Sequence, residues 1–163
     1  MICEVCNMKY EGDFCPQCGW EEELVLDNDY IEIYNKRKSI YKNVYEKSKQ
    51  ANNDFDIFMD EIIPIYNEYF KEYPKFIDAI LEVLSKMDSF RAKNRYASFL
   101  LPKAYLNKDI ELLKESFKIT KSLKDKIDKK DYEERLKTIY NLATKFKDFK
   151  LAQDLNDELK GVE

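Results

Sequence analysis

Apolar residues recur along most of the chain at three- and four-residue spacings, the period that gathers them on one face of an α-helix. From about Asp27 the first stripe reads Tyr30, Ile33, Tyr34, Ile40, Tyr41, Val44 and Tyr45, and predicts a helix with four tyrosines on its buried side. Asn52-Asn53-Asp54 supplies the short polar side chains that suit a helix cap. Residues 55–73 form a second apolar run, aromatic at Tyr66, Tyr69, Phe70 and Tyr73, with Pro64 inside it. Proline lacks the amide proton and crowds the preceding turn, so a kink or split is expected there. Pro74 fits the first turn of a third helix, whose stripe is Phe76, Ile77, Ile80, Leu81, Leu84 and Met87. Ser89 can cap a fourth, running through Tyr96, Phe99 and Leu100 and disturbed at Pro102.

A turn at Asn107-Lys108-Asp109 precedes a fifth stripe, Leu112, Leu113, Phe117, Thr120, Leu123 and Ile127. Asp131 and Glu134 stand three apart like a capping box and open a sixth helix with Tyr132, Leu136, Ile139, Tyr140, Ala143 and Phe146 on its apolar face. After a further turn at Lys147-Asp148, Leu151, Ala152, Leu155 and Leu159 give the last stripe before Gly161. Such short connections make neighbouring helices antiparallel. Ala104, Lys108 and Asp109 return as Ala143, Lys147 and Asp148, an offset of 39 residues. This weakly resembles the helix–turn–helix junction of tetratricopeptide-like repeats within residues 90–160, although that family's usual period is about 34.

Composition removes several kinds of chemistry. The 163 residues include no histidine and three glycines, Gly12, Gly19 and Gly161. Histidine-based catalysis and glycine loops that cradle phosphate are therefore excluded. No apolar run approaches the ~18 residues of a membrane span, and the first residues lack the basic and apolar regions of a signal peptide. A cytoplasmic location without membrane insertion is expected. The net charge of −4 hides segregation, with −7 over residues 1–29, +4 over 30–51, −6 over 52–90 and +5 over 91–163.

All four cysteines, Cys3, Cys6, Cys15 and Cys18, lie in the first eighteen residues, as two Cys-x-x-Cys pairs. A disulfide framework would staple distant parts of a chain, whereas this clustering favours metal. Four thiolates are the set that tetrahedral zinc accepts, and they leave no open position for catalysis. Where the chain turns sharply after each second cysteine, residues that tolerate positive φ are wanted, and Asn7 and Gly19 stand there. Eight residues separate the pairs, enough for a tight hairpin turning at Gly12, and Tyr10, Phe14 and Trp20 are its apolar cover.

Cys3-Glu4-Val5-Cys6-Asn7 with Phe14-Cys15-Pro16-Gln17-Cys18-Gly19 resembles the small bacterial and archaeal zinc-ribbon modules. The resemblance covers residues 2–20 and implies a structural appendage with Cys3, Cys6, Cys15 and Cys18 as ligands. The fold expected is mainly α: a minimal N-terminal zinc ribbon over residues 1–26, then an all-helical bundle or short helical-hairpin array of about six to seven helices over 27–163. One structural Zn2+ per chain is the expected cofactor; a rubredoxin-like iron centre and a redox dithiol remain as alternatives.

Carboxylate pairs such as Asp60-Glu61 and Glu133-Glu134 have no partner suggesting acid–base chemistry, so no catalytic residue is assigned. The function expected is non-enzymatic: protein–protein docking or a scaffold role within a larger complex, with a mobile head that docks through Tyr10, Phe14 and Trp20. The alternative is a nucleic-acid-associated accessory factor using Lys114, Lys118, Lys121 and Lys124 on the fifth helix. A rubredoxin-like iron electron carrier is the second alternative.

Overall fold

A computed structural model of the chain describes residues 1–22, 28–52, 54–71 and 74–162, with the backbone alone at 28–30. The described residues hold seven α-helices and no strand: α1 (Asn28–Gln50), α2 (Phe55–Tyr69), a 3-10 turn (Pro74–Phe76), α3 (Ile77–Ser85), α4 (Phe90–Asn107), α5 (Ile110–Ser122), α6 (Lys129–Lys145) and α7 (Phe149–Lys160). The mainly helical fold is as the stripes predict. The helix start at Asp27, the burial of Tyr30, the cap residue Asn53 and the place of Tyr73 lie outside the described residues. The chain divides into two compact units, Met1–Met87 and Asp88–Glu163. The cysteine-bearing segment is thus part of the first unit, and the division does not fall at the expected boundary after residue 26.

In the first unit α1 packs against α2, the 3-10 turn and α3. Its buried side is Ile40, Tyr41, Val44 and Tyr45, as the stripe predicts, while Ile33 points outward and Tyr34 is half-buried. The Tyr41 hydroxyl donates to the Lys75 carbonyl at 2.6 Å, tying α1 to the 3-10 turn. Asp54 caps α2 by accepting from the Ile57 amide at 3.1 Å. Of the kink or split expected at Pro64, the split does not occur: α2 runs unbroken from Phe55 to Tyr69. Phe58, Met59, Ile62 and Ile65 anchor it on both sides of the proline, and that burial outweighs one lost backbone bond. Tyr66 stacks on Phe70 and meets Phe76 edge-on, so these rings are packing material. In α3 every residue of the predicted stripe is buried.

The second unit is two helical hairpins, α4–α5 and α6–α7, built alike. Ser89 caps α4 and Asp128 caps α6, 39 residues on. The cap of α6 is therefore Asp128, three residues before the expected Asp131; its carboxylate accepts from the Lys130 amide at 2.8 Å. Starting there places Tyr132 in the first turn with its ring buried. At the hairpin turns Lys108 and Lys147 both take positive φ, 50° and 62°. The amides of Asp109 and Asp148 return to the carbonyls of Ala104 and Ala143 at 3.0 and 2.9 Å, closing each helix in the same way. Those two aspartates then cap α5 and α7. Buried pairs follow the same offset, including Leu100 with Ile139 and Leu113 with Ala152. Of the two arrangements the sequence leaves open, a bundle or a short hairpin array, residues 88–163 show two matching helical hairpins. α4 continues through Pro102 to Asn107, held by buried Leu100, Leu101 and Ala104.

Candidate metal centre

The two cysteine pairs form two tight turns facing one another. Asn7 donates its amide to the Cys3 carbonyl at 2.9 Å and Gly19 to that of Cys15 at 2.8 Å, each at positive φ (62° and 76°). These are the positions the spacing assigns to αL-tolerant residues. Space favours Gly19 a second time, because a Cβ there would stand a tight 3.2 Å from the Asp78 carbonyl oxygen near the start of α3. A single antiparallel bridge, Ile2 with Lys9, replaces a true ribbon, and Gly12 turns the chain between the pairs at φ 113°.

The four sulfurs lie within 4.8 Å of one another. Cys3 and Cys18 Sγ stand 3.5 Å apart, as do Cys6 and Cys15 Sγ. These distances exceed a disulfide bond and approach the ~3.8 Å edge of a tetrahedron built on ~2.3 Å metal–sulfur bonds. The residues present therefore fit a tetrahedral metal. Cys3, Cys15 and Cys18 are buried and Cys6 is half-buried. Backbone amides converge on the sulfurs: Val5 on Cys3 at 3.4 Å, Met8 on Cys6, Gln17 and Cys18 on Cys15, and Trp20 on Cys18. Burial pushes the Cys18 thiol well above its ordinary range and that of Cys6 up to about 11. Burial also works against the Cys15 thiolate, but the amides of Gln17 and Cys18 outweigh it and bring that thiol below its ordinary range. Holding all four as thiolates in so dry a site would take a cation among them.

The surroundings are supplied by α1 and α3. Trp20 is fully buried, edge-on to Tyr34 and Tyr41 with both centroids at 5.3 Å, and the Arg37 guanidinium lies 4.9 Å over its ring. Arg37 also donates to the Glu21 carbonyl at 3.0 Å, and the Tyr34 hydroxyl to Glu4 at 2.6 Å. On the other side Lys86 donates to the carbonyls of Pro16 and Gln17, and Gln17 donates to the Tyr45 hydroxyl.

This packing corrects the expectation of a mobile head that docks through its aromatic residues. Trp20 and Tyr10 are interior side chains of the first unit, and Phe14 alone of the three is exposed. Sequence spacing shows that a ring needs cover; it does not show that the cover lies on helices far along the chain. Arg37, Asp78 and Lys86 were missed for the same reason, since nothing in local spacing links them to the cysteines.

Lys114, Lys118 and Lys121 of α5 sit in the second unit with Lys124, which lies just beyond the end of that helix rather than on it, and they are partly neutralised. Lys114 pairs with Glu111 at 3.3 Å, Lys124 with Glu158 at 3.1 Å, and Lys121 lies 5.3 Å over the Phe117 ring. Lys118 is exposed. Among the carboxylate pairs, Glu61, Glu133 and Glu134 take lysine partners, Lys47, Lys129 and Lys130, at 3.0, 3.9 and 4.0 Å.

The chain matches no family model, no curated protein and no solved structure. The cysteine cluster is compatible with metal binding on its geometry alone, and no described helix is long and apolar enough to cross a membrane.

Proposed function

We propose that the protein is a non-enzymatic zinc protein, in which one Zn2+ held by Cys3, Cys6, Cys15 and Cys18 completes the core of the first unit. The observation that carries this reading is the convergence of four cysteine sulfurs, three of them buried, in a cage whose walls are α1 and α3. The four thiolates would suit tetrahedral zinc and a rubredoxin-like iron alike; zinc is preferred because the described residues hold no second cluster of metal-ligating side chains with which an electron-carrying iron could work. When bound, the ion would offset half of the thiolates' charge and crosslink the two turns. The protein's part is to aim amides at the sulfurs and to exclude water with Trp20, Tyr34 and Tyr41.

The wider role proposed is protein–protein docking within a larger assembly. With Trp20 and Tyr10 taken into the core, support for docking moves to the hairpins, where Tyr105, Tyr140 and Phe149 are exposed at 50%, 37% and 66%. Nucleic-acid association through α5 is less well supported, because Lys114 and, just beyond the helix, Lys124 are engaged by carboxylates. Metal analysis of protein purified without chelator tests the first part: one zinc per chain is expected, and a visible-absorbing iron chromophore or no metal would overturn it. Retention on immobilised heparin that falls steeply with salt would favour the nucleic-acid reading over docking.

A further inference from the structure

We infer that Lys86 is a positioning residue for the metal site, acting on the Cys15 sulfur through two peptide groups. The inference rests on the zinc reading above. Lys86 stands at the C-terminal cap of α3, about 70 residues from the second cysteine pair. Its ammonium donates to the Pro16 carbonyl at 2.6 Å and the Gln17 carbonyl at 2.7 Å, and meets Glu82 at 3.4 Å. An ammonium has three protons, so every donor is directed.

The two carbonyls belong to the planar peptide groups whose far ends are the amides of Gln17 and Cys18. Those amides are the ones that donate to the Cys15 sulfur. Two parallel paths therefore run from ammonium through carbonyl and amide proton to thiolate. A donor at the carbonyl oxygen polarises the peptide and strengthens its N–H as a donor at the other end. The ammonium also brings positive charge toward a site that carries −2 with zinc bound. The first cysteine pair is treated differently: of the two side chains between its cysteines the charged one is Glu4, which accepts from Tyr34 at 2.6 Å and from Lys38 at 3.5 Å. Lys86 thus singles out Cys15, while α3 fixes the same turn again at Gly19.

The test uses the full chain loaded with zinc or, as a spectroscopic probe, with cobalt(II). Lys86→Met keeps the aliphatic stem and removes the charge; Lys86→Arg keeps the charge and at least two donors. Loss of outer hydrogen bonds to a ligand commonly weakens a metal site by about ten-fold or more. Lys86→Met is accordingly expected to surrender zinc to a competing chelator about ten-fold more readily. Its thiolate-to-cobalt charge-transfer band is expected to move to longer wavelength, with the far-ultraviolet spectrum of the loaded protein unchanged. Lys86→Arg is expected to stay near the wild-type band. A Lys86→Met band at the wild-type position overturns the inference even if zinc leaves faster, since a purely mechanical staple would not alter the sulfur's electronic state. A Lys86→Arg band shifted as far as that of Lys86→Met overturns it too. Wild-type protein that takes up neither metal overturns the zinc reading and this inference with it, whereas a metal-loaded wild type with unmoved variant bands overturns this inference alone.

Discussion

The two units reach a buried core by different means. In residues 1–87 the largest fully buried side chain, Trp20, is carried by a segment without helix or strand, and is held between α1 and the cysteine turns. In residues 88–163 the interior is Leu113, Tyr132, Leu136, Ile139 and Leu155, contributed by helices that are each capped by a local side chain. The first arrangement holds the cysteine turns through contacts made far along the chain, from Tyr34, Arg37, Tyr41 and Lys86, and on the proposed reading a bound metal adds the central crosslink. The second is assembled from short-range devices repeated at an offset of 39 residues. The four-cysteine cluster is therefore a core component in one unit and has no counterpart among the described residues of the other.

Disrupting the cysteine cage should separate the units most sharply. Cys15→Ser removes one of four ligands, and zinc contributes on the order of 10 kcal/mol to folding in small thiolate sites. We expect the first unit to lose its cooperative structure, Trp20 emission to shift to the red, and the helicity of residues 88–163 to persist. A self-contained head, as the sequence alone suggests, would instead leave α1–α3 intact. Burial of Trp20 between Tyr34 and Tyr41 is the reason to expect otherwise.

The converse change is Leu136→Ala in the second unit, where Leu136 is fully buried. Truncating a buried leucine costs about 2–5 kcal/mol, so the melt of residues 88–163 should fall while zinc content stays at the wild-type value. Loss of zinc in this variant would show that the units share one core.

How far the sequence shows all this differs by unit. The hairpins were largely legible, because their caps and turns are local: Ser89, the Lys108-Asp109 turn and its copy at Lys147-Asp148 all do what their residue types favour. One cap was misplaced since Asp128 and Asp131 offer the same chemistry, and the choice depends on where Tyr132 must be buried. The prolines misled for a related reason. Pro64 and Pro102 oppose helix locally, but flanking buried residues override them. In the first unit the convergence of the four cysteines was legible from spacing and the positive φ of Asn7 and Gly19 from residue type. What covers the metal site was not, because Tyr34, Arg37, Tyr41, Asp78 and Lys86 meet it only through the tertiary fold.

Smaller effects sharpen the picture of two matching hairpins. Asp109 caps α5 through the amides of Glu111 and Leu112 at 3.0 and 3.4 Å, and Asp148 caps α7 through that of Leu151 at 3.0 Å. Asp109→Ala and Asp148→Ala should each cost about 1 kcal/mol, with similar values if the hairpins are energetically alike. Denaturant melts of the second unit would read the difference, and strongly unequal losses would break the equivalence.

The smallest effect is a pH dependence confined to the second unit. Tyr132 donates to Glu158 at 2.8 Å and Lys124 lies at 3.1 Å, which hold the Glu158 carboxyl below its ordinary value. A carboxyl lowered on folding stabilises the native state above its unfolded pKa and loses that contribution as pH falls through the folded one. Glu158→Gln should therefore cost about 1 kcal/mol or less near neutrality, and the gap from wild type should close in acid below about pH 4. A gap that persists unchanged at low pH would assign the effect to packing.

Hydrogen exchange read by mass spectrometry on the zinc-loaded and the chelator-stripped chain tests the central claim, that the metal completes the core of one unit only. The account predicts that stripping removes amide protection across residues 1–22 and α1–α3 while α4–α7 exchange as before. Protection lost equally in both units, or lost only near the four cysteines with α1 and α3 untouched, would contradict it.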